Sequence, residues 1–313
     1  MLAPKPGTKP FGNIRSLALA LGANEARLQY VAAHRDDFWI PGKTEQKEDG
    51  TPRVTHNAKS ELKKIHEAIK VEILRKVAYP SYLYGGLPAL YEGDARHNIA
   101  NAKQHAGAEI IIALDIFNFF PSTTESVVNQ IWRRFFRQPP LVANVLARLT
   151  TYKNMLPQGW KTSSYLAALA LWDVEPELEA RLSNMGKVYT RFVDDIFVSS
   201  KTHLTKAGQH EVIGGVTAIL LKKGLRIKRS KLAIAARGAA QEVTGVRLHA
   251  GAVSFSRVRY RALRTEIQEF CKNTSLPEQE RASKKRSLLG RIAYVRRLSS
   301  AQGEALIRLI EKS

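Results

Sequence analysis

Cysteine is almost missing: Cys271 is the single one among 313 residues. One thiol excludes an internal disulfide and a zinc site built from cysteines, so a reducing, cytoplasmic setting is expected. Long apolar runs are missing too. No stretch approaches the roughly 20 residues that a spanning helix needs, and the N-terminal MLAPKPGTKPFGN lacks the apolar segment of a secretory signal. Acidic residues are scarce, with 28 Asp and Glu against 49 Lys and Arg, a formal net charge of +21. That imbalance favours a polyanionic partner. Nucleic acid fits, an anionic membrane surface competes, and plain solubility is the bland alternative. Repeats, low-complexity tracts and Pro/Gly/Ser linkers are absent, so nothing divides the chain into independent halves.

What is present is 44% hydrophobic sequence, enough for a substantial core. Two short helices are expected over Asn13–Arg35, the second capped by Asn24. The polar segment Pro41–Arg53 carries Asp49-Gly50, a turn pair that suggests a mobile hairpin. Leu62, Ile65, Ile69, Ile73 and Leu74 recur at helical spacing. AEIIIALD, residues 108–115, reads as a strand buried on both faces. Helices are expected over Glu125–Arg137, Pro140–Tyr152, Ser163–Leu182 and Val212–Leu221, and a strand over Glu242–Leu248. In Lys187–Ser200 (KVYTRFVDDIFVSS) two β-rich runs flank Asp194-Asp195, which places the acidic pair at a hairpin tip. The tail from Gly251 to Ser313 reads as helical and holds 14 Lys or Arg against 6 Asp or Glu. The fold class is therefore α+β with an appended helical subdomain.

Adjacent carboxylates raise each other's pKa unless a positive charge sits between them. A bound cation removes that penalty, and Asp115, at the end of a buried strand, could share it. Three carboxylates around hard cations suit in-line phosphoryl transfer. Alone, Asp194-Asp195 is weak evidence, since an Asp-Asp pair in a turn is usually a solvated turn.

The flanking residues resemble a known family. Arg191-Phe192-Val193-Asp194-Asp195 looks like the aromatic-x-Asp-Asp core of reverse transcriptases, with Phe192 where tyrosine is usual. Leu114 to Ser122 (LDIFNFFPS) resembles the first aspartate motif, and Leu156 to Ser163 (LPQGWKTS) the Leu-Pro-Gln-Gly motif. Asn101-Ala102-Lys103-Gln104-His105 and Val243-Thr244-Gly245 match signatures of the retron branch.

The resemblance implies a right-hand polymerase with fingers, a palm (an antiparallel sheet with helices on one face) and a helical thumb. The implied divisions are residues 1–107 for N-terminal helices and fingers, 108–250 for the palm with a helical insertion at about 123–155, and 251–313 for the basic thumb. The implied activity is RNA-directed DNA synthesis. Asp115, Asp194 and Asp195, with Ile116 beside them, would hold two Mg2+ ions, Mn2+ being a possible substitute. Asn118 and Phe120 would meet the incoming nucleotide, the Phe120 ring excluding a ribose 2′-hydroxyl, while Phe119 reads as core. Gln158 and Gly159 would approach nucleotide and template. Arg53 could clamp the triphosphate or form an exposed salt bridge. Lys231 could stand near the pyrophosphate or be solvated. Asn101 and His105 could contact RNA or serve as cap and core. Val243, Thr244 and Gly245 would lie near the primer terminus. Tyr260, Arg264, Lys284, Lys285 and Arg286 could grip duplex or be solvated charge.

The implied partners are deoxynucleoside triphosphates, a cognate structured noncoding RNA (msr-msd) and its RNA–DNA product. A host ribonuclease H and an effector toxin would complete an anti-phage system, with no membrane involved. Synthesis would start from a guanosine 2′-hydroxyl. Trp160-Lys161, Ser164 and Lys228 depart from the family pattern around the nucleotide pocket. An intron, diversity-generating or abortive-infection enzyme, and a catalytically idle RNA-binding scaffold, are the competing readings.

Overall fold

The computed structural model describes residues 3–46, 52–89, 91–249, 251–273 and 275–311, the side chains at 43, 45, 52–54 and 249 excepted. Helices α1 (Ile14–Ala20) and α2 (Glu25–Ala33) start the fold. Asn13 closes a capping box with Ser16, and Asn24 accepts the Arg27 N–H, so both helices begin where a side chain replaces a missing backbone acceptor. Strands β1 (Trp39–Gln46) and β2 (Pro52–Ala58) pair antiparallel as a hairpin; Asp49-Gly50 lies outside the described residues.

Helix α3 (Ser60–Glu72) buries Leu62, Ile65 and Ile69, and ends before Ile73 and Leu74, which enter the core from the next turn. β3 (Leu83–Tyr84), α4 (Asn98–Gln104) and β4 (Ile110–Asp115) follow. Then come α5 (Phe119–Ser122), α6 (Glu125–Gln130) with a π-helical turn at Ile131–Phe135, and α7 (Pro140–Thr150).

The helix expected over Ser163–Leu182 is two. α8 (Ser163–Ala168) ends, turns follow, and α9 (Glu175–Asn184) restarts with Pro176 in its first turn. Proline has no N–H to continue a helix and suits a start, so the apolar periodicity runs across a break that Pro176 marks. β5 (Lys187–Phe192) and β6 (Asp195–Ser200) form the expected hairpin. After α10 (Lys206–Leu221) and β7 (Ala233–Ala236), the expected strand over 242–248 is a hairpin, β8 (Glu242–Val243) and β9 (Val246–His249). Its turn, Thr244-Gly245, has φ of 48° and 78°, the double left-handed pair of a tight two-residue hairpin. β10 (Ala252–Ser254) joins β9, and α11 (Arg257–Lys272), α12 (Glu278–Leu298) and α13 (Ser300–Ile310) complete the chain.

The main sheet runs β3-β5-β6-β4-β7 and is antiparallel except for the parallel β3–β5 pair. Side chains alternate across it. Ile112, Leu114, Ile196, Val198 and Tyr189 face the core made with α9 and α10. Ile111 and Phe197 face a second cluster with Ile99 and Ala102 of α4 and Val243, Val246 and Leu248 of the small sheet. Helices therefore cover one face as expected, and the other face is covered too, by α4 and β8–β9. β3 joins the sheet from within the first 107 residues, and one apolar core runs from α1 through the sheet. The three C-terminal helices own a separate core around Ile267, Phe270, Leu288 and Ile292.

Candidate active site

Strand register sets the site. β4 and β6 align so that Asp115, last in β4, is opposite Asp195, first in β6. Asp194 sits in the two-residue turn before it, and the Ile116 N–H donates to the Asp194 carbonyl at 2.9 Å. Ile116 itself is buried, so only its main chain could face a cation. Lys228 N–H donates to the Asp115 carbonyl at 2.7 Å and Phe117 N–H to the Arg226 carbonyl at 2.8 Å, which ties the 226–231 segment alongside. That segment brings Lys231 Nζ to 2.6 Å from Asp115 Oδ2. Its bond to Asp115 holds the Lys231 ammonium above the ordinary lysine range.

Asp195 is pushed up to about 7, first by burial and then by the charges of Asp194 and Asp115, with Lys231 opposing. This is the signature of carboxylates crowded into a low-dielectric corner, a state that a bound cation would relieve. Among the described residues no three His, Cys, Asp or Glu side chains are yet gathered tightly enough to hold a metal. The donor set fits hard cations in its chemistry, with Lys231 supplying positive charge at Asp115 in this arrangement.

The hairpin tip is strained and held. Val193 has φ of 58°, a value that β-branched residues rarely adopt, and such strain costs about 1–3 kcal/mol. Its N–H donates to the Tyr84 carbonyl at 3.2 Å, and its carbonyl accepts from Arg191 Nη1 at 3.1 Å. Arg191 is 1% exposed and its guanidinium meets both Glu175 oxygens, at 2.6 and 2.7 Å. It also donates to the carbonyl of Ala168, at the end of α8, at 2.8 Å. A helix end leaves such carbonyls without partners, and here the break between α8 and α9 lets Arg191 fill the role. Sequence reading missed Arg191 and Glu175 as site builders. The available signal was a charged residue inside a β-rich run, followed by the need for a buried acid to match it.

Just after Asp115, Asn118 adopts φ of 46° and opens α5, Phe119 is buried as core, and the half-buried Phe120 ring lies 6.0 Å from it, edge to face. Gly159 has φ of 79° and open space on its Cβ side, so the backbone conformation is what calls for glycine, and Gln158 is half-buried beside it. The departures near this loop have structural work. Trp160 packs 5.1 Å from Trp39 and 5.3 Å from His66, Lys161 pairs with Glu67 at 2.5 Å, and Ser164 Oγ donates to the Gly86 carbonyl at 3.1 Å, which proline could not do. Arg53 lies on β2 by its backbone, and its side chain is outside the described residues.

Of the two readings open for Asn101 and His105, the fold supplies the core one: Asn101, His105 and Val243 are at most 1% exposed. His105 spans Ser199 and Thr190 at 2.7 and 2.8 Å, a core bridge beneath the sheet. Both polar atoms of the Asn101 amide are buried without a partner among the described residues, and nothing in the fold accounts for them. Thr244 exchanges hydrogen bonds with Asn98, at 3.2 and 3.3 Å, and Asn98 also donates to the Tyr294 hydroxyl at 2.6 Å. Arg259 donates to the Gly245 carbonyl at 3.2 Å. The turn thus fastens the C-terminal helices to the sheet. Arg264, Lys284, Lys285 and Arg286 are exposed, and Tyr260 is half-buried against the local core.

No helix among the described residues is long and apolar enough to cross a membrane. The family described as reverse transcriptase (RNA-dependent DNA polymerase) matches residues 45–287. The chain is similar to the retron Se72 reverse transcriptase of Salmonella heidelberg (strain 579083-10), 33% identical over 234 residues, covering 75% of this chain and 60% of that one. It is 31% identical over 205 residues to the retron Ec48 reverse transcriptase of Escherichia coli, covering 63% of this chain and 50% of that protein. The chain therefore spans about half to three-fifths of the length of these two relatives. Among solved structures, telomerase from Candida albicans in complex with a TWJ fragment of telomeric RNA has a TM-score of 0.48 at 12% identity, over 90% of this chain and 58% of that one. With Asp115 and Asp195 opposite each other on register-matched strands, Asp194 in the adjoining turn, and a family match across most of its length, the chain belongs to the reverse transcriptases, and its curated relatives are retron enzymes.

Proposed function

We propose that this protein copies part of a structured noncoding RNA into single-stranded DNA, as the RNA-directed DNA polymerase of a retron. The observation that carries the proposal is the pairing of Asp115 with Asp195 beside Asp194 at a clamped hairpin tip, in a chain of this family. Asp115, Asp194 and Asp195, with the Ile116 main chain, are the residues that would hold divalent ions. Such ions, Mg2+ or Mn2+, supply charge stabilisation for the attacking hydroxyl and the leaving pyrophosphate when bound.

The protein's own contribution is positioning. Arg191 fixes the tip, Gln158 and Gly159 border the nucleotide, and Phe120 fills the space a ribose 2′-hydroxyl would need. Lys231, already at Asp115, is suited to follow the departing phosphates as a cation and proton source. Arg53 is the candidate for triphosphate binding from the β1–β2 hairpin. The fingers, palm and thumb assignments belong to the same proposal, with α11–α13 gripping the RNA–DNA hybrid through Arg264, Lys284, Lys285 and Arg286. Priming from a guanosine 2′-hydroxyl, removal of template by a host ribonuclease H, and an effector toxin complete the retron reading.

The test is extension of an annealed primer on RNA template by purified protein with Mg2+ and deoxynucleotides. Asp194→Asn abolishes extension and retains RNA binding. Expression with the genomic flanks yields a short DNA whose mobility shifts after ribonuclease or debranching treatment. Extension without that species leaves a polymerase outside the retron class; absence of both, in folded protein, leaves an RNA-binding scaffold.

A further inference from the structure

Between α11 and α12, away from the aspartates, lies a cavity of about 360 Å³. It exists because two facing positions are small: Ala262 on α11 and Gly290 on α12, where an added Cβ would meet nothing within 4 Å. Leu263 forms the apolar floor. At one end Phe255 and Tyr294 meet at 6.0 Å and 71°, edge to face, and Asn98 anchors the Tyr294 hydroxyl. Arg259 and Arg291 flank the opening, exposed and tethered to Glu242 at 3.1 Å and Glu266 at 2.5 Å.

We propose that this notch receives one unpaired nucleotide of the bound RNA. The size lies at the lower end of the range for small-molecule sites, roughly 300–1,000 Å³, which admits a nucleotide and excludes a duplex. An apolar floor closed by aromatic rings suits a base face, and guanidinium groups at the rim suit the flanking phosphates or stack on the base. The surrounding helices are strongly basic, so charge complementarity favours a polyanion over an apolar protein segment. The site also adjoins the Thr244-Gly245 turn through Arg259, so an occupied notch would be sensed where the C-terminal helices meet the sheet. The inference rests on the RNA-binding part of the proposed function and adds the unpaired nucleotide as its ligand class.

The experiment compares wild type with Gly290→Leu, which fills the notch at a helical position where leucine is a better helix former than glycine, and with Gly290→Ala, which leaves room. The probe is an unstructured RNA oligomer bearing one 4-thiouridine, with a blunt RNA–DNA duplex and a DNA oligomer of the same sequence as references. Expected are a crosslink to peptides holding Phe255 or Tyr294, and a fall of about tenfold in the ratio of single-strand to duplex affinity in Gly290→Leu. Gly290→Ala keeps both. An unchanged ratio in folded Gly290→Leu, crosslinks confined to other peptides, or equal capture of the DNA oligomer would overturn the assignment. Wild-type protein that fails to extend a primer would count against the polymerase reading alone, because the crosslink needs no synthesis.

Discussion

The guanidinium of Arg191 and the carboxylate of Glu175 meet through two contacts, at 2.6 and 2.7 Å, with both side chains 1% exposed. Truncating one partner leaves a buried charge alone, which costs about 3–5 kcal/mol, whereas replacing both with apolar residues is often neutral. Arg191→Ala should therefore lower the urea midpoint strongly. Arg191→Leu with Glu175→Leu should recover most of it. Extension should stay impaired in the double variant, because the Val193 carbonyl has lost its donor. Full activity in the double variant would reduce the pair to packing.

Two histidines make stability fall in acid. Burial holds His66 down at about 3 and His105 at about 4, against about 6.5 in the unfolded chain. Between those values the unfolded state binds more protons, so stability is full above about pH 6.5 and declines as pH falls below it. At pH 5 each contributes a loss on the order of 2 kcal/mol. Urea unfolding from pH 7.5 to 5 should show this slope, and His66→Gln with His105→Gln should flatten it. An equal slope in that variant would move the effect to other groups.

Under the proposed function, Lys231 would compete with cations for Asp115. With the Lys231 side chain 56% exposed the pair is partly screened and worth about 0.5–1 kcal/mol, so Lys231→Met should tighten Mn2+ binding roughly two- to fivefold, read by electron paramagnetic resonance. Incorporation of nucleotide should slow in the same variant. Weaker Mn2+ binding would show that Lys231 orders the carboxylates instead of opposing the ions.

Phe120→Ala should admit ribonucleotides. Loss of a steric wall of this kind changes discrimination by about 10–200-fold. Single-nucleotide kinetics with matched deoxy- and ribonucleoside triphosphates would measure it, and a ratio within twofold of wild type would acquit the ring.

Much of this site was legible in the sequence where local pattern and chemistry agree. The apolar run ending at Asp115, the β-rich flanks of Asp194-Asp195 and the cap at Asn24 are short-range signals, and each produced the element expected. What escaped depends on distant partners. β3 is two residues long and exists because β5 offers it an edge. The break before Glu175 is hidden by leucines that stay in phase on both sides, with Pro176 as its one local sign. Asn101, His105 and Val243 are buried, and spacing alone cannot tell a residue facing RNA from one facing the back of the sheet.

The order of strands in the sheet has a consequence for synthesis on the ribosome. β4 pairs with β6 and β7, both of which are made after it. Asp195 follows Asp115 by 80 residues, and at about 5–20 residues per second that wait is on the order of 5–15 s. Throughout it, Ile110, Ile111 and Ile112 form a β-prone apolar segment with no strand on either side. Such a segment is a template for pairing with another nascent copy. Yield of soluble protein should therefore depend on how fast residues 116–200 emerge and on chaperones that hold the chain meanwhile, more than on the stability of the finished fold.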